Sequence, residues 1–143
     1  MSRNERFERQ NVRRRRAGFS LVELVVVILV LGIIAAVATP KMFDTASSAR
    51  TSGTQQSLSV LRSAIDLYRT QNSAYPTAAT LKTALATYLR GPFPAPQVGA
   101  NQNNNVVVTT QSPITTVVAG GAGWVFNETT GDVAVNDAAG IAW

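Results

Sequence analysis

Gly18-Phe19-Ser20-Leu21-Val22-Glu23, continuing as LVVVILVLGIIAAVA to Ala38, is the stretch that decides how this chain folds. From Phe19 to Ala38 only Ser20 and Glu23 carry strongly polar side chains. As a helix rising 1.5 Å per residue, the run spans roughly 30 Å, the thickness of a bilayer hydrocarbon core. Arg13, Arg14, Arg15 and Arg16 abut its N-terminal end and, by the positive-inside rule, stay cytoplasmic. The rest of the chain is then expected on the far side of that membrane.

The net charge of +5 has the same address. Seven arginines and two acids precede Phe19, leaving six basic and six acidic residues for the remainder. The basic character describes the leader and not the body, so nucleic-acid binding is not expected. The chain has no cysteine and no histidine. That removes disulfides, thiolate metal sites and the commonest general base.

Three readings of the N-terminus compete. One is a plain signal anchor. The second is a secretory signal peptide, for which Ala36-Val37-Ala38 supplies an A-x-A site, although the apolar run exceeds the usual h-region. Neither has a use for Glu23. A carboxylate near the middle of a membrane helix costs about 2.5–3.5 kcal/mol, less towards an end. The third reading gives it a role. A cut between Gly18 and Phe19 creates an amine one helical turn before Glu23, and the two can pair within one chain or between neighbours.

Gly18 followed by Phe19-Ser-Leu-Val-Glu23 and a long apolar helix resembles the class III N-terminal signal of type IV pilins and type II secretion pseudopilins. The resemblance covers about the first 45 residues. It implies cleavage by a prepilin peptidase after Gly18, methylation of Phe19, and a register-setting pairing of Glu23 with the terminal amine of an adjacent subunit. The recurrent proline of the family falls at Pro40. The chain would then divide into a basic leader (1–18), a transmembrane and assembly helix (19–39) and a periplasmic domain (40–143) of an inner-membrane protein. Implied partners are further pilin-like subunits, the peptidase and an assembly platform protein. The function implied is structural, a filament subunit of type II secretion kind. The alternatives are a minor type IV pilin binding DNA or a surface ligand, and a secreted domain released after Ala38.

Gly18 lacks a side chain, which lets the backbone enter a protease cleft. Pro40 removes one helical hydrogen bond, so a kink or local melting is expected there. Beyond it, Leu58, Leu61, Ile65 and Tyr68 recur at helical spacing. The stretch Thr45–Ser57 holds Gly53 and seven Ser or Thr, which weakens helix. The expectation is one helix from Phe19 to about Asn72, interrupted near Pro40 and at Gly53. A short second helix is predicted from Thr77 or Thr80 to about Leu89. Val106–Thr110, Ile114–Val118, Gly123–Asn127 and Asp132–Asn136 read as strands, the last two a hairpin turning at Gly131. The predicted class is α+β, a long helix packed on a small antiparallel sheet.

No catalytic constellation is visible, so no enzymatic activity is expected. Asn127, Glu128, Asp132, Asn136 and Asp137 gather around the last hairpin. Oxygen ligands on a loop could hold Ca2+, and the resemblance implies such a site in the C-terminal region of major pseudopilins. The candidate ligands are Asn127, Asp132 and Asp137, though their spacing fits no calcium-loop motif and turn polarity explains the same residues. No other cofactor is expected.

Overall fold

The computed structural model describes residues 18–143. Arg13 to Arg16 and the rest of the leader lie outside the described residues. The elements run in the order α1 (Leu21–Asn72), α2 (Leu81–Leu85), β1 (Val106–Val108), β2 (Trp124–Phe126) and β3 (Val133–Val135). The chain divides into two units, residues 1–41 and 42–143.

In the first unit, the described chain is the apolar part of α1. Its side chains from Leu21 to Val37 are exposed, and this part of the helix is long and apolar enough to cross a membrane. The expected interruption at Pro40 is absent, because α1 continues through it. Proline deletes a single helical donor, and the ladder on either side remains intact. Immediately before Pro40, the Thr39 hydroxyl donates to the Ala35 carbonyl at 2.7 Å.

Gly53 does not break the helix either. A Cβ placed there would lie 3.5 Å from the Gln97 side chain. The neighbouring Thr54 is fully buried. Its hydroxyl donates to the Arg50 carbonyl at 2.9 Å and accepts the Gln97 amide hydrogen at 2.9 Å. The polar stretch is therefore held in helix by a tertiary contact that local propensity does not register.

The core of the second unit follows from the two periodicities. Leu58, Leu61, Ala64 and Ile65 form one stripe of α1. They pack with Trp124 and Phe126 of β2, Val133 and Val135 of β3, and Leu81 and Leu85 of α2. The alternate residues Val125 and Ala134 point to the other face of the sheet. There they join Ile114, with Val107, Val118 and Ile141 packed around them.

The sheet is mixed, which corrects the expected antiparallel arrangement. β2 and β3 pair antiparallel with Trp124 opposite Val135, but β1 runs parallel to β2 with Val106 opposite Trp124. A parallel pair needs a long crossover. The chain from Thr109 to Gly123 supplies it, covering the second face of the sheet. Ile114–Val118, expected as a strand, belongs to this crossover. Its backbone donors go to side chains in place of a ladder. Gln111 Oε1 accepts from the Thr115 and Thr116 amides, and Asn136 Oδ1 accepts from the Val118 amide at 2.8 Å.

α2 is shorter than predicted, ending at Leu85. Tyr88 and Leu89 still pack against the core from the turn that follows. Thr80 sits at the N-cap position without a side-chain cap bond. An acid from the hairpin turn reaches this start instead, for Glu128 Oε1 accepts the Ala78 amide hydrogen. The hairpin turn is as expected. Gly131 has φ +80°, and its amide donates to the Asn127 carbonyl at 2.9 Å.

A Cβ on Gly131 would also meet the Tyr75 ring at 2.1 Å. Gly131→Ala is therefore expected to destabilise the second unit by about 2–4 kcal/mol, combining left-handed backbone strain with overpacking. Leu61→Ala, which empties a fully buried position, is expected to cost about 2–5 kcal/mol. Urea unfolding followed by Trp124 fluorescence measures both. An unchanged midpoint for Gly131→Ala would show that Tyr75 is not seated against the turn.

Candidate functional site

Gly18 and Phe19 precede the first helical turn, and both are exposed, Phe19 to 82%. A Cβ added at Gly18 would meet nothing within 4 Å. No packing among the described residues accounts for a glycine there. Glu23 lies in the first turn of α1, where a carboxylate complements the partial positive charge of the free amide hydrogens. Its Oε2 accepts from the Ser20 amide at 3.4 Å, a long bond that folds the carboxylate back towards Phe19. The Ser20 carbonyl in turn accepts from the Leu24 amide at 3.2 Å. Glu23 is thus exposed, acidic and directed at the end of the chain where cleavage after Gly18 would create an amine.

Further along, Val25, Ile28, Leu29, Gly32, Ile33 and Ala36 line an open apolar hollow of about 510 Å3 along the helix. Gly32 and Ala36, four residues apart, make its floor shallow, so a second helix could approach closely. The sequence signal for this strip is the spacing of Gly32 and Ala36 by one helical turn.

Asn127, Asp132 and Asp137 each serve a different set of local donors. Asn127 is buried, accepts from the Thr129 and Thr130 amides at 2.9 and 3.2 Å, and donates to the Gln111 carbonyl at 3.0 Å. Asp132 Oδ2 accepts from the Ser112 and Thr130 hydroxyls, each at 2.7 Å. Asp137 accepts from the Ala139 amide at 2.9 Å and the Ala100 amide at 3.3 Å. Among the described residues there is no group of three or more His, Cys, Asp or Glu able to hold a metal ion. This donor set does not fit a Ca2+ cage, which needs six to eight oxygens on one point. It fits turn capping and the anchoring of two loops.

Asn136 carries more than the sequence reading gave it. It is buried, donates to the Val118 and Ala122 carbonyls at 2.8 and 3.0 Å, and accepts from the Val118 amide. Asn127, which follows β2, and Asn136, which follows β3, thus tie the crossover to the sheet at two points.

Residues 13–39 match the prokaryotic N-terminal methylation motif. The motif places Gly18, Phe19, Glu23 and the apolar run within one recognised segment. The chain is also similar to type II secretion system core protein G of Pseudomonas aeruginosa, 34% identical over 65 residues, which is 46% of each chain. The protein of the same name from Vibrio cholerae is 33% identical over 81 residues, 57% of this chain and 56% of the relative. That from Aeromonas hydrophila is 32% identical over 85 residues, 59% of this chain and 57% of the relative. The chain spans about half the length of the curated relatives it matches. No solved structure matches it.

Because local donors already occupy the hairpin carboxylates, chelation with EDTA is expected to leave the thermal midpoint unchanged. Asn136→Ala strands buried groups of the crossover and is expected to cost about 1–3 kcal/mol. Calorimetry with and without EDTA and added Ca2+ checks the first, and denaturant titration the second. A calcium-dependent midpoint would restore the hairpin as a metal site.

Proposed function

We propose that the chain is a structural subunit of a type II secretion-type filament, a pseudopilin, and not a catalyst. The apolar part of α1 holds it in the inner membrane until assembly, with residues 42–143 on the periplasmic side. A prepilin peptidase cuts between Gly18 and Phe19 and methylates the new amine, and an assembly platform protein passes the subunit into the filament. The observation that carries this reading is the methylation motif over residues 13–39, with an exposed Gly18-Phe19 bond one turn before Glu23.

The physical logic is that of a register lock. An exposed carboxylate on an otherwise apolar helix is stable among packed helices only where a cation meets it. The processed amine of Phe19 is that cation in every identical copy. Any axial slip leaves both charges unpaired, so misregistered packing is penalised. Repetition of one head-to-tail contact that does not close produces an open helical polymer. The shallow strip at Gly32 and Ala36 favours close helix bundling in its centre.

The mature protein isolated from its own membrane is expected to begin at Phe19 and to weigh about 14 Da more than the unmodified chain, the mass of one methyl group. A start at Thr39 would make it a conventionally secreted domain and remove the role given to Glu23. Glu23→Gln is expected to leave membrane insertion intact while lowering filament yield roughly tenfold or more, equivalent to about 1.4 kcal/mol of lost pairing. Fractionation and immunoblotting of sheared filaments give both readings.

A further inference from the structure

We propose that Met42 and Phe43 form an apolar collar that seats in the phospholipid headgroup layer where α1 leaves the bilayer, setting how far the chain emerges before assembly. The inference rests on the reading of α1 as membrane-spanning and adds a contact surface to it.

Met42 and Phe43 are each 72% exposed among the described residues. They follow Ala38, the last residue of the apolar run, by four and five positions along α1. At 1.5 Å per residue that is about 6–8 Å beyond the run. The interfacial layer on one side of a bilayer is about 5–8 Å thick, so the pair falls at its depth. The aromatic belts of membrane proteins lie at that depth, and Phe and Leu side chains of interfacial helices are buried there.

The intervening chain suits the same depth. The Thr39 hydroxyl is spent on the Ala35 carbonyl, so it brings no free donor into the hydrocarbon edge. Phe43, Ala46, Ser47 and Arg50 share one face of α1 and line an open hollow of about 490 Å3 together with Gln97 and Gln102. Apolar side chains on a helix at that depth are buried at the boundary between headgroups and acyl chains, which a phospholipid interface offers and bulk water does not. The competing occupant is a second copy of the chain.

The absence of cysteine allows single labels. The full chain, carrying a nitroxide at Met42→Cys or Phe43→Cys, is reconstituted at low density in phosphatidylethanolamine–phosphatidylglycerol vesicles. Ile33→Cys and Asp66→Cys serve as membrane and water references. Power-saturation EPR is expected to give positions 42 and 43 an oxygen-to-nickel accessibility ratio several-fold above that of position 66 and below that of position 33. Adding Phe43→Ser to the position-42 label is expected to move that label towards the aqueous value. A ratio at 42 and 43 equal to that at 66 overturns the collar. Low access to both reagents with spin–spin broadening that grows with protein density also overturns it, in favour of a second copy. A water-like ratio at position 33 removes the membrane-spanning reading itself, and the collar with it.

Discussion

Every backbone polar group of the apolar segment must be satisfied within the helix, because its side chains offer no partner. From Leu24 to Val37 the side chains are apolar or small and exposed. In a hydrocarbon surrounding, an unpaired amide or carbonyl costs several kcal/mol, which leaves continuous helix as the one local solution for a single span. The exceptions sit at the two ends. Glu23 accepts from the Ser20 amide at the start of the helix, and the Thr39 hydroxyl donates to the Ala35 carbonyl where the chain reaches more polar sequence. Pro40, the one residue that deletes a donor, falls in this second region and not in the middle of the run.

The second unit solves a different problem with the same helix type. One stripe of α1 must be covered, and the three short strands are too small to do so without help. The sheet is therefore enclosed on both faces, by α1 and α2 on one and by the crossover Thr109–Gly123 on the other. Hydrophobic contact alone does not fix an irregular segment in place. Amide side chains do this through bonds to its backbone, Asn136 to Val118 and Ala122, Asn127 to Gln111, and Asn103 to Gly121 and Gly123. Trp124 adds an indole bond to the Pro94 carbonyl at 2.9 Å. Arg62 reaches from α1 to the Val133 and Trp143 carbonyls at 3.2 and 2.6 Å. The many polar residues of the C-terminal third are thus a means of holding non-repetitive chain, and this accounts for the hairpin carboxylates without a metal.

The candidate site has the opposite character. Gly18, Phe19 and Glu23 are exposed and make few contacts among the described residues. Core residues are specified by neighbours in the same molecule, and these three are not.

The sequence by itself determined the apolar span, its charged flank, the N-terminal methylation motif, the amphipathic stripe from Leu58 to Ile65 and the final hairpin at Gly131. Each of these rests on local spacing or on one residue's conformational freedom, and such signals survive without knowledge of distant neighbours. Tertiary structure alone decided the unbroken course of α1 through Gly53, the early end of α2 and the parallel pairing of β1 with β2. It also turned Ile114–Val118 from a predicted strand into a crossover. For Gly53 and for Ile114–Val118 a residue far away in the chain supplied the deciding hydrogen bond, Gln97 for Thr54 and Asn136 for Val118. A β-branched run records a preference for extended backbone, but which partner its amides find is settled only when the chain has folded around them.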